Sequence, residues 1–294
     1  MPERSSLEFE RQSVATMVNA DSIAPELLAE RLLNHIVEYE SCAIAYSGGV
    51  DSAVVAIAAK IALGEQAIAI TGVSPSLAEE QLANAREVAS KIGIEHVEVS
   101  TSEINDPAYV ANAPDRCFHC KSELYRVMGA YAEAHGIKTL VNGTILEDLG
   151  DYRPGLVAAG MATVRSPLAE CKLDKNAVRA LAQYWNLEVW DKPSSPCLAS
   201  RIAYGQEVTP ERLKMIDKAE QILHQLGLRE CRVRYHEGDL ARIEVPTDAI
   251  AELCERELME WLVQEFTEIG FRYVSLDLAG FRSGSLNLGL PVLQ

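Results

Sequence analysis

The sequence predicts an α/β protein with a parallel sheet and helices on both faces, followed by a smaller α+β unit. Three observations predict it. Short apolar strands alternate with helices over residues 41–185, a proline- and serine-rich segment at 191–204 interrupts the alternation, and a different order of elements follows. We therefore expect a helical N-terminal segment at 1–40, an α/β domain at 41–204 and a smaller α+β domain at 205–294.

The individual elements follow from the apolar pattern. The first forty residues carry leucines at helical spacing and predict an amphipathic helix. In the first domain we expect strands at 41–46, 67–73, 96–100, 138–142 and 162–166, and helices at 51–63, 76–92, 117–135 and 174–185. Ser76 and Glu79 form a capping-box pattern. In the second domain we expect helices at 209–226 and 247–269, and strands at 230–236, 240–245 and 272–278.

Composition excludes several classes of protein. The net charge of −16, from 27 Lys and Arg against 43 Asp and Glu, disfavours a nucleic-acid partner because phosphate binding needs cations. No apolar run approaches the ~20 residues of a membrane span, and charges occupy the first ten residues, where a secretion signal is apolar. We expect a cytoplasmic protein with no membrane partner, whose seven cysteines are thiols or metal ligands.

The sharpest local signal is the hexapeptide Ser-Gly-Gly-Val-Asp-Ser at 47–52, between a predicted strand and a predicted helix. Glycines allow backbone N–H groups to approach a phosphate, and a helix N-terminus adds unpaired donors. Asp51 has the chemistry to hold a divalent cation shared with the phosphates. The expected phosphate-binding residues are Ser47, Gly48, Gly49, Asp51 and Ser52.

This hexapeptide resembles the phosphate loop (PP-loop) of the N-type ATP pyrophosphatases, which include GMP, NAD and asparagine synthetases. The resemblance implies that ATP adenylates an oxygen of the substrate and that pyrophosphate leaves. The hexapeptide has no Walker-type Lys after its glycines, which favours attack at the α-phosphorus over transfer of the terminal phosphoryl group.

Two further segments follow predicted strands and are expected at the same edge of the sheet, because strand carboxyl ends converge on the ligand. Thr71 and Gly72 follow the second strand and are expected to line the adenosine. Gly143 follows a later strand and is expected near the nucleotide. Asp148 is expected to join Asp51 at a magnesium ion.

Three cysteines stand out by position. Cys117 and Cys120 form a C-x2-C pair, for which redox, zinc and chance interpretations remain open. Cys197 lies in the irregular segment between the two domains, where a nucleophile is plausible. Three thiolates leave one iron of a four-iron cluster without a protein ligand, or make an incomplete zinc site. We expect Cys42, Cys231 and Cys254 to be buried, and leave Cys171 unassigned.

Four segments together resemble the LarE family: the hexapeptide, residues 142–155, residues 196–201 and residues 278–284. These are ATP-dependent sulfur transferases in the biosynthesis of the nickel-pincer nucleotide cofactor of lactate racemase. The resemblance covers nearly the whole chain. It implies that the carboxylates of pyridinium-3,5-dicarboxylate mononucleotide are adenylated and then converted to thiocarboxylates.

The resemblance implies one of two sulfur sources. In the single-cysteine form of the family, the cysteine matching Cys197 gives up its own sulfur and becomes dehydroalanine. This chain also has Cys117 and Cys120, a pattern similar to the three-cysteine branch. There, the three thiolates hold a [4Fe-4S] cluster that carries a transferable sulfide, so sulfide or another sulfur donor becomes a partner. We favour this branch, with Cys197 as the catalytic cysteine.

The second domain supplies candidates for holding the substrate and for self-association. Arg232 and Arg234 are two residues apart on one predicted strand, so their side chains lie on the same face of the sheet. Two guanidinium groups on one face bind phosphate well. The resemblance implies that they hold the substrate's phosphate, with Arg282 as a further candidate. Residues 233–245 resemble the dimerisation unit of GMP synthetase, which implies a homo-oligomer.

Other functions remain open. Some tRNA thiolation enzymes of the PP-loop superfamily also use a C-x2-C pair, but the charge of −16 counts against tRNA. An ammonia-using ligase would leave Cys197 without a role. A nucleotide sensor would keep the loop without the chemistry.

Overall fold

The computed structural model describes residues 24–150, 154–193 and 195–282. Within these ranges, four strands form one parallel sheet in the order β3-β2-β1-β4. The strands are β1 (Cys42–Ala45), β2 (Ala67–Val73), β3 (Glu95–Ser100) and β4 (Thr139–Val141). The predicted parallel α/β domain is confirmed.

Helices cover both faces of this sheet because strand side chains alternate between the faces. Ile44 packs into one core with the helices at 25–37, 50–63 and 175–184, whereas Ala43 and Ile70 pack into another with the helices at 116–135 and 154–161. The helices of this part are α1 (Pro25–Val37), α2 (Val50–Leu63), α3 (Glu79–Ile92), α4 (Pro107–Val110), α5 (Arg116–His135), α6 (Pro154–Met161), α7 (Pro167–Glu170) and α8 (Lys175–Tyr184).

A second, three-stranded sheet follows, with β5 (Arg232–His236) and β6 (Leu240–Glu244) antiparallel and β7 (Tyr273–Leu276) parallel to β6. Its helices are α9 (Pro210–Gln225), α10 (Ile250–Leu253) and α11 (Arg256–Ile269). The core beneath this sheet also contains Tyr109 and Leu198, which precede the expected boundary at residue 205. The domain boundaries stay predictions.

Three expected elements differ from the structure. Helix α3 begins at Glu79, three residues later than expected, and Ala78 rather than Ser76 precedes it. Ser76 makes no cap because its hydroxyl donates to Glu103 at 2.9 Å. The expected strand at 162–166 is a single bridge between Val141 and Arg165, because Thr163 has a φ of 54° and turns the chain.

The expected helix at 247–269 is also interrupted. A 3₁₀ turn (Thr247–Ala249) and α10 precede α11, and Glu255 between them adopts an extended backbone with ψ 132°. In the N-terminal segment, α1 begins where Pro25 occupies its first turn. Residues 1–23 lie outside the described residues. Among the described helices, none combines the length and apolar character that crossing a bilayer requires.

Candidate active site

The phosphate loop lies between β1 and α2, as the sequence predicts. Ser52 Oγ accepts from the Ser47 N–H at 3.2 Å and donates to Gly49 O at 3.1 Å, which closes the loop on itself. Gly48 has a φ of +70°, and a Cβ there would lie 2.7 Å from the Cα of Ala85. Only glycine therefore fits this turn, and Asn84 fixes it further by donating to Gly48 O at 3.1 Å.

A lysine lies beside this loop. Lys175, the first residue of α8, places its Nζ 2.6 Å and 2.9 Å from the two carboxylate oxygens of Asp51. Both side chains are about one-third exposed, so an incoming triphosphate can reach the pair. Sequence analysis missed Lys175 because nothing in its local pattern distinguishes it from a surface lysine.

The two carboxylates expected to bind magnesium have different surroundings. Asp51 is paired with Lys175, and Asp148 accepts the Ile145 N–H at 3.1 Å within a tight turn. Among the described residues, no group of three or more His, Cys, Asp or Glu side chains converges as a site for one metal ion. Asp51 beside the phosphate loop nevertheless fits a cation that takes its remaining oxygen ligands from phosphates and water. Magnesium binding stays a prediction.

The second loop packs directly on the first. A Cβ on Gly143 would lie 2.9 Å from Ser52 N and 3.0 Å from the carbonyl carbon of Asp51, so residue 143 must be glycine for the two loops to touch. This gives Gly143 a clear packing role. Residues 151–153, part of the segment that resembles the LarE family, lie outside the described residues.

Thr71 and Gly72, the residues expected to line the adenosine, both make close contacts within the protein. Thr71 is 2% exposed, and its hydroxyl donates to Tyr46 O at 3.0 Å and contacts His96 Nε2 at 2.8 Å. A Cβ on Gly72 would lie 2.8 Å from Leu124 Cδ1, so this glycine allows α5 to approach β2. Their role in binding adenosine stays a prediction.

The segment that carries Cys197 is fastened to the start of α5, the helix that carries Cys117 and Cys120. Arg116 Nη1 donates to Ala199 O at 2.8 Å. Asn112, which is fully buried, donates from its amide to the carbonyl oxygens of Ile202, Ala203 and Gln206 at 3.0–3.2 Å. The Leu198 N–H also donates to Ser76 O at 2.9 Å, so contacts from two sides fix the position of Cys197.

The three candidate cysteines differ in burial. Burial raises the pKa of Cys120 to about 12, with further contributions from the charges of Cys197, Glu103 and Cys117. Cys117 is exposed, whereas Cys120 and Cys197 are half-buried. Cys120 and Cys197 pack against the same core beneath the second sheet. Among the described residues, however, no three His, Cys, Asp or Glu side chains, these cysteines included, converge as a site for a metal ion.

The other cysteines mostly match their expected burial. Cys42 and Cys231 are fully buried, as expected. Cys254 is exposed, so the expectation that it is buried is wrong: the break between α10 and α11 places it at a turn. Cys171 is buried, with its sulfur 4.0 Å from Arg31 O.

A cavity of about 650 Å³ lies between α3, residues 185–195 and α9. Gln81 and Asn84 line it on one side. Gln81 also donates a hydrogen bond to Ser195, and Asn84 donates one to Gly48 of the phosphate loop. Arg201 and Arg232 line it on the other side. The cavity therefore lies next to both the phosphate loop and the segment that carries Cys197.

The three expected phosphate-binding arginines differ in their environments. Arg232 lines the cavity. Burial, and to a smaller extent the positive charge of Arg201, lower the pKa of Arg232. Arg234 is 6% exposed and pairs with Glu244, with Nη2 and Oε2 2.8 Å apart. Arg282 Nη2 lies 3.6 Å from Asp277 Oδ2. Arg232 thus fits the expected role best, and phosphate binding by all three stays a prediction.

Comparison with known proteins identifies the family. Residues 30–201 match the NAD synthase family. The chain is 34% identical over 264 residues to the pyridinium-3,5-bisthiocarboxylic acid mononucleotide synthase of Lactiplantibacillus plantarum, a match that covers 90% of this chain and 95% of that protein. The chain belongs to the LarE family. As a LarE family member it is an ATP-using sulfurtransferase built on the PP-loop fold.

Two other proteins are similar in sequence to this LarE family member. An uncharacterized protein of Synechocystis is 46% identical over 258 residues, covering 88% of this chain and 96% of its own. One of the subunits of the glutamine-hydrolysing GMP synthase of Archaeoglobus fulgidus is 28% identical over 195 residues, covering 62% of this chain and 63% of its own. The weaker similarity to GMP synthase agrees with a shared ATP-using domain.

Two charged residues that line the cavity of this LarE family member gave no signal as cavity residues in the sequence. Glu220 of α9 pairs with Arg201, with Oε1 3.0 Å from Nε, and both line the cavity. Arg201 Nη1 in turn donates to Cys197 O at 3.1 Å. In the sequence, Arg201 stands out only as the last residue of the segment 196–201. Glu220 gives no sign of a functional role because it lies in an ordinary amphipathic helix.

Proposed function

We propose that the chain uses ATP and magnesium to adenylate the carboxylates of pyridinium-3,5-dicarboxylate mononucleotide and then converts them to thiocarboxylates. The name of the Lactiplantibacillus relative supports this product class. The observation that carries the proposal is that α3 bonds both to the PP-loop, through Asn84, and to the segment that carries Cys197, through Gln81. That arrangement supports sulfur chemistry coupled to adenylation.

In the adenylation step, a carboxylate oxygen of the substrate attacks the α-phosphorus of ATP and pyrophosphate leaves. Loop N–H groups from Ser47 to Ser52 and the N-terminus of α2 hold the phosphates. When ATP binds, Lys175 leaves its ion pair with Asp51 and pairs with a phosphate oxygen instead. Its positive charge then balances the negative charge of the leaving pyrophosphate. Magnesium at Asp51 and Asp148 would supply further positive charge to the pyrophosphate.

In this proposal the mononucleotide occupies the cavity between α3, residues 185–195 and α9. Arg232 at the cavity wall binds its phosphate. Arg282, outside the cavity lining, is the further candidate. Arg234 is held by Glu244 and donates to Ser200 O at 3.1 Å, so it also positions the segment that carries Cys197. The substrate's carboxylates then lie between the phosphate loop and Cys197.

For the sulfur step we propose the three-cysteine route. A [4Fe-4S] cluster would be ligated by Cys117, Cys120 and Cys197 and would supply a transferable sulfide when bound. Two observations support this: Cys117 and Cys120 are three residues apart on α5, and Cys120 and Cys197 pack against the same core. The residues of this chain bring the adenylated carboxylate to that sulfur, and AMP leaves. The alternative is that Cys197 donates its own sulfur: its Sγ displaces AMP, then the Cβ–Sγ bond breaks with loss of the Cα proton, leaving dehydroalanine.

One experiment separates these routes. The protein is purified without oxygen, analysed for iron and sulfide, and reacted with ATP, magnesium, sulfide and the mononucleotide. We expect about four irons per chain, AMP and pyrophosphate as products, and loss of thiolation in Cys197→Ala but not in the control Cys254→Ala. An iron-free protein whose mass falls by the mass of hydrogen sulfide would establish the sacrificial route instead. ADP as the product would overturn adenylation.

The proposal extends to the use of the product and to the oligomeric state of the protein. The thiolated nucleotide would serve the biosynthesis of the nickel-pincer nucleotide of lactate racemase, with sulfide or another sulfur donor as partner. The second domain would mediate homo-oligomerisation in the cytoplasm. Size-exclusion chromatography with light scattering tests the oligomer, and a monomer at micromolar concentration would contradict it.

A further inference from the structure

The cavity wall formed by residues 185–195 carries a lysine without an ion-pair partner. Lys192 lines the cavity and is half-buried, and no carboxylate of the described residues lies within 4.0 Å of its Nζ. Lys91, the other lysine of the cavity, has its Nζ 2.8 Å from Oε1 of Glu87 and 2.6 Å from Oε2 of Glu188. A cation that is partly removed from water without a counter-ion is unfavourable, so the amine of Lys192 is available to an anion.

The two carboxylates whose charges act on Lys192 are engaged by other side chains. Glu80 Oε2 lies 2.6 Å from Nδ1 of His224, and Glu87 Oε1 lies 2.8 Å from Nζ of Lys91. Burial lowers the pKa of Lys192, and the two glutamates oppose this effect only in part. The fold therefore leaves this amine at the cavity without neutralising its charge.

The backbone that carries Lys192 is fixed on both sides of the residue. On one side, the Lys192 N–H donates to Val189 O at 3.2 Å, and Val189 is buried in the core of the first domain. On the other side, Gln81 of α3 donates to Ser195 O at 3.1 Å, and Cys197 is two residues further along. Lys192 thus belongs to the wall that leads into the Cys197 segment, beside the helix that also bonds to the phosphate loop.

The proposed substrate carries three anionic groups, and two of them already have partners. Its phosphate pairs with Arg232, and the carboxylate that reacts lies at the ATP held by the phosphate loop. The second carboxylate on the pyridinium ring has none. Because seven Asp and Glu residues but only five Lys and Arg residues line the cavity, a further anion there requires a cation placed for it.

We propose that Lys192 binds the carboxylate that is not being adenylated, and so makes the cavity selective for a pyridinium ring with two anionic substituents. This inference rests on the proposed function and names the residue that recognises the second substituent. After the first thiolation, the same amine holds the thiocarboxylate, which is also an anion, while the remaining carboxylate reacts. Positions 3 and 5 exchange by a half-turn of the ring about its bond to the ribose, so one site serves both reactions.

The test compares two mononucleotides that differ by one group. The full-length chain, in excess, is mixed with ATP, magnesium and either pyridinium-3,5-dicarboxylate mononucleotide or pyridinium-3-carboxylate mononucleotide. The initial rate of pyrophosphate release then gives a second-order rate constant for a single adenylation. Only the orientation with a carboxylate at ATP is productive, and in that orientation the monocarboxylate leaves Lys192 empty. The ratio of the two rate constants therefore measures recognition of the second carboxylate.

We expect the wild-type chain to favour the dicarboxylate about tenfold or more, because hydrogen bonds between charged groups are among the strong ones. In Lys192→Gln the preference should fall to about twofold, the statistical value for two equivalent carboxylates, with the rate constant for the monocarboxylate unchanged. Lys192→Arg should keep most of the preference because the charge remains.

Two other cations of the cavity serve as controls. Lys91→Gln should keep the wild-type preference, because Glu87 and Glu188 already hold the Lys91 amine. Arg229→Gln should also keep it, because Arg229 lines the cavity but is exposed, so water screens its charge. A preference that is lost in Arg229→Gln and kept in Lys192→Gln would assign the second carboxylate to Arg229 and overturn the proposal.

The remaining outcomes separate this inference from the proposed function. A wild-type preference of about twofold overturns the Lys192 site without any variant while leaving adenylation standing. An equal loss of rate with both mononucleotides in Lys192→Gln shows a structural role for the lysine and overturns the site as well. Absence of pyrophosphate with either mononucleotide in the wild-type chain overturns the proposed function, and the Lys192 site with it.

Discussion

Lys175 Nζ lies 2.6 Å from Oδ1 of Asp51, joining the start of α8 to the first turn of α2 across 124 residues of sequence. This ion pair places a positive charge beside the phosphate loop in a chain of net charge −16. It also places the Asp51 carboxylate next to a cation that ATP can take over. We therefore propose that Lys175 takes part in ATP binding.

We expect Lys175→Gln to raise the KM for ATP about tenfold or more, because a hydrogen bond to a charged phosphate contributes about 1.5–3 kcal/mol. Pyrophosphate release measured against ATP concentration gives this value. The matched control is Lys60→Gln, at the other end of α2, where the lysine pairs with Glu65. Equal KM values for the two variants would contradict the role of Lys175.

We expect Gly143→Ala to abolish ATP binding, because its Cβ would lie 2.9 Å from Ser52 N and displace the phosphate loop. Gly129→Ala is the control. Gly129 lies within α5 with nothing within 4 Å of an added Cβ, so alanine should stabilise the chain by about 0.5–1 kcal/mol. Calorimetric titration with a non-hydrolysable ATP analogue measures binding, and wild-type affinity in Gly143→Ala would refute the expectation.

We expect Glu220→Gln to lower the free energy of unfolding by about 3 kcal/mol, because it leaves Arg201 as an unpaired buried charge. The two side chains are 2% and 7% exposed. Glu260→Gln, which removes the exposed partner of Arg256, should cost at most about 0.5 kcal/mol. Urea unfolding compares them, and similar losses in the two variants would be evidence against an essential Arg201–Glu220 pair.

Glu170 predicts a pH dependence of stability. Burial opposes its charge, but Arg165, the Ser166 N–H and His35 outweigh burial and lower the pKa of Glu170 from 4.5 to about 2. A depressed carboxyl pKa contributes stability that is fully present above about pH 4.5 and is lost as the pH falls towards 2. We expect Glu170→Gln to flatten the acid side of the stability profile in thermal unfolding between these pH values.

The control for this profile is Glu95→Gln, at an exposed position on β3. It should leave the acid side of the profile as it is in the wild type. A Glu170→Gln chain that loses stability below pH 4.5 as steeply as the wild type would contradict the assignment.

Local sequence predicted the parts of the site that local structure builds. The strand, Gly-Gly turn and helix around residues 47–52 form from neighbouring residues, and the structure has them where expected. The start of α5 at Arg116, one residue before its expected start, is equally local, since the helix pattern and Gly136 at its end lie within one segment.

Distant partners account for the errors and omissions. The pattern at Ser76 is that of a helix cap, but Glu103, 27 residues further along, takes its hydroxyl. Lys175 gave no signal because its partner Asp51 lies far away in sequence. The expected helix at 247–269 is interrupted where Glu255 turns into an extended backbone, although its apolar spacing continues.

By itself the sequence determined the class of fold and the phosphate loop, because these depend on periodicity and on a short motif. The role of Cys117, Cys120 and Cys197 as sulfur ligands stays a prediction. The tertiary structure alone decided which side chains meet: Lys175 with Asp51, Arg201 with Glu220, and Arg116 with the carbonyl of Ala199. The physical reason is that a charged side chain is directed by whatever counter-charge or carbonyl the folded chain brings within about 3 Å. That choice is made between segments far apart in the chain as readily as between neighbours.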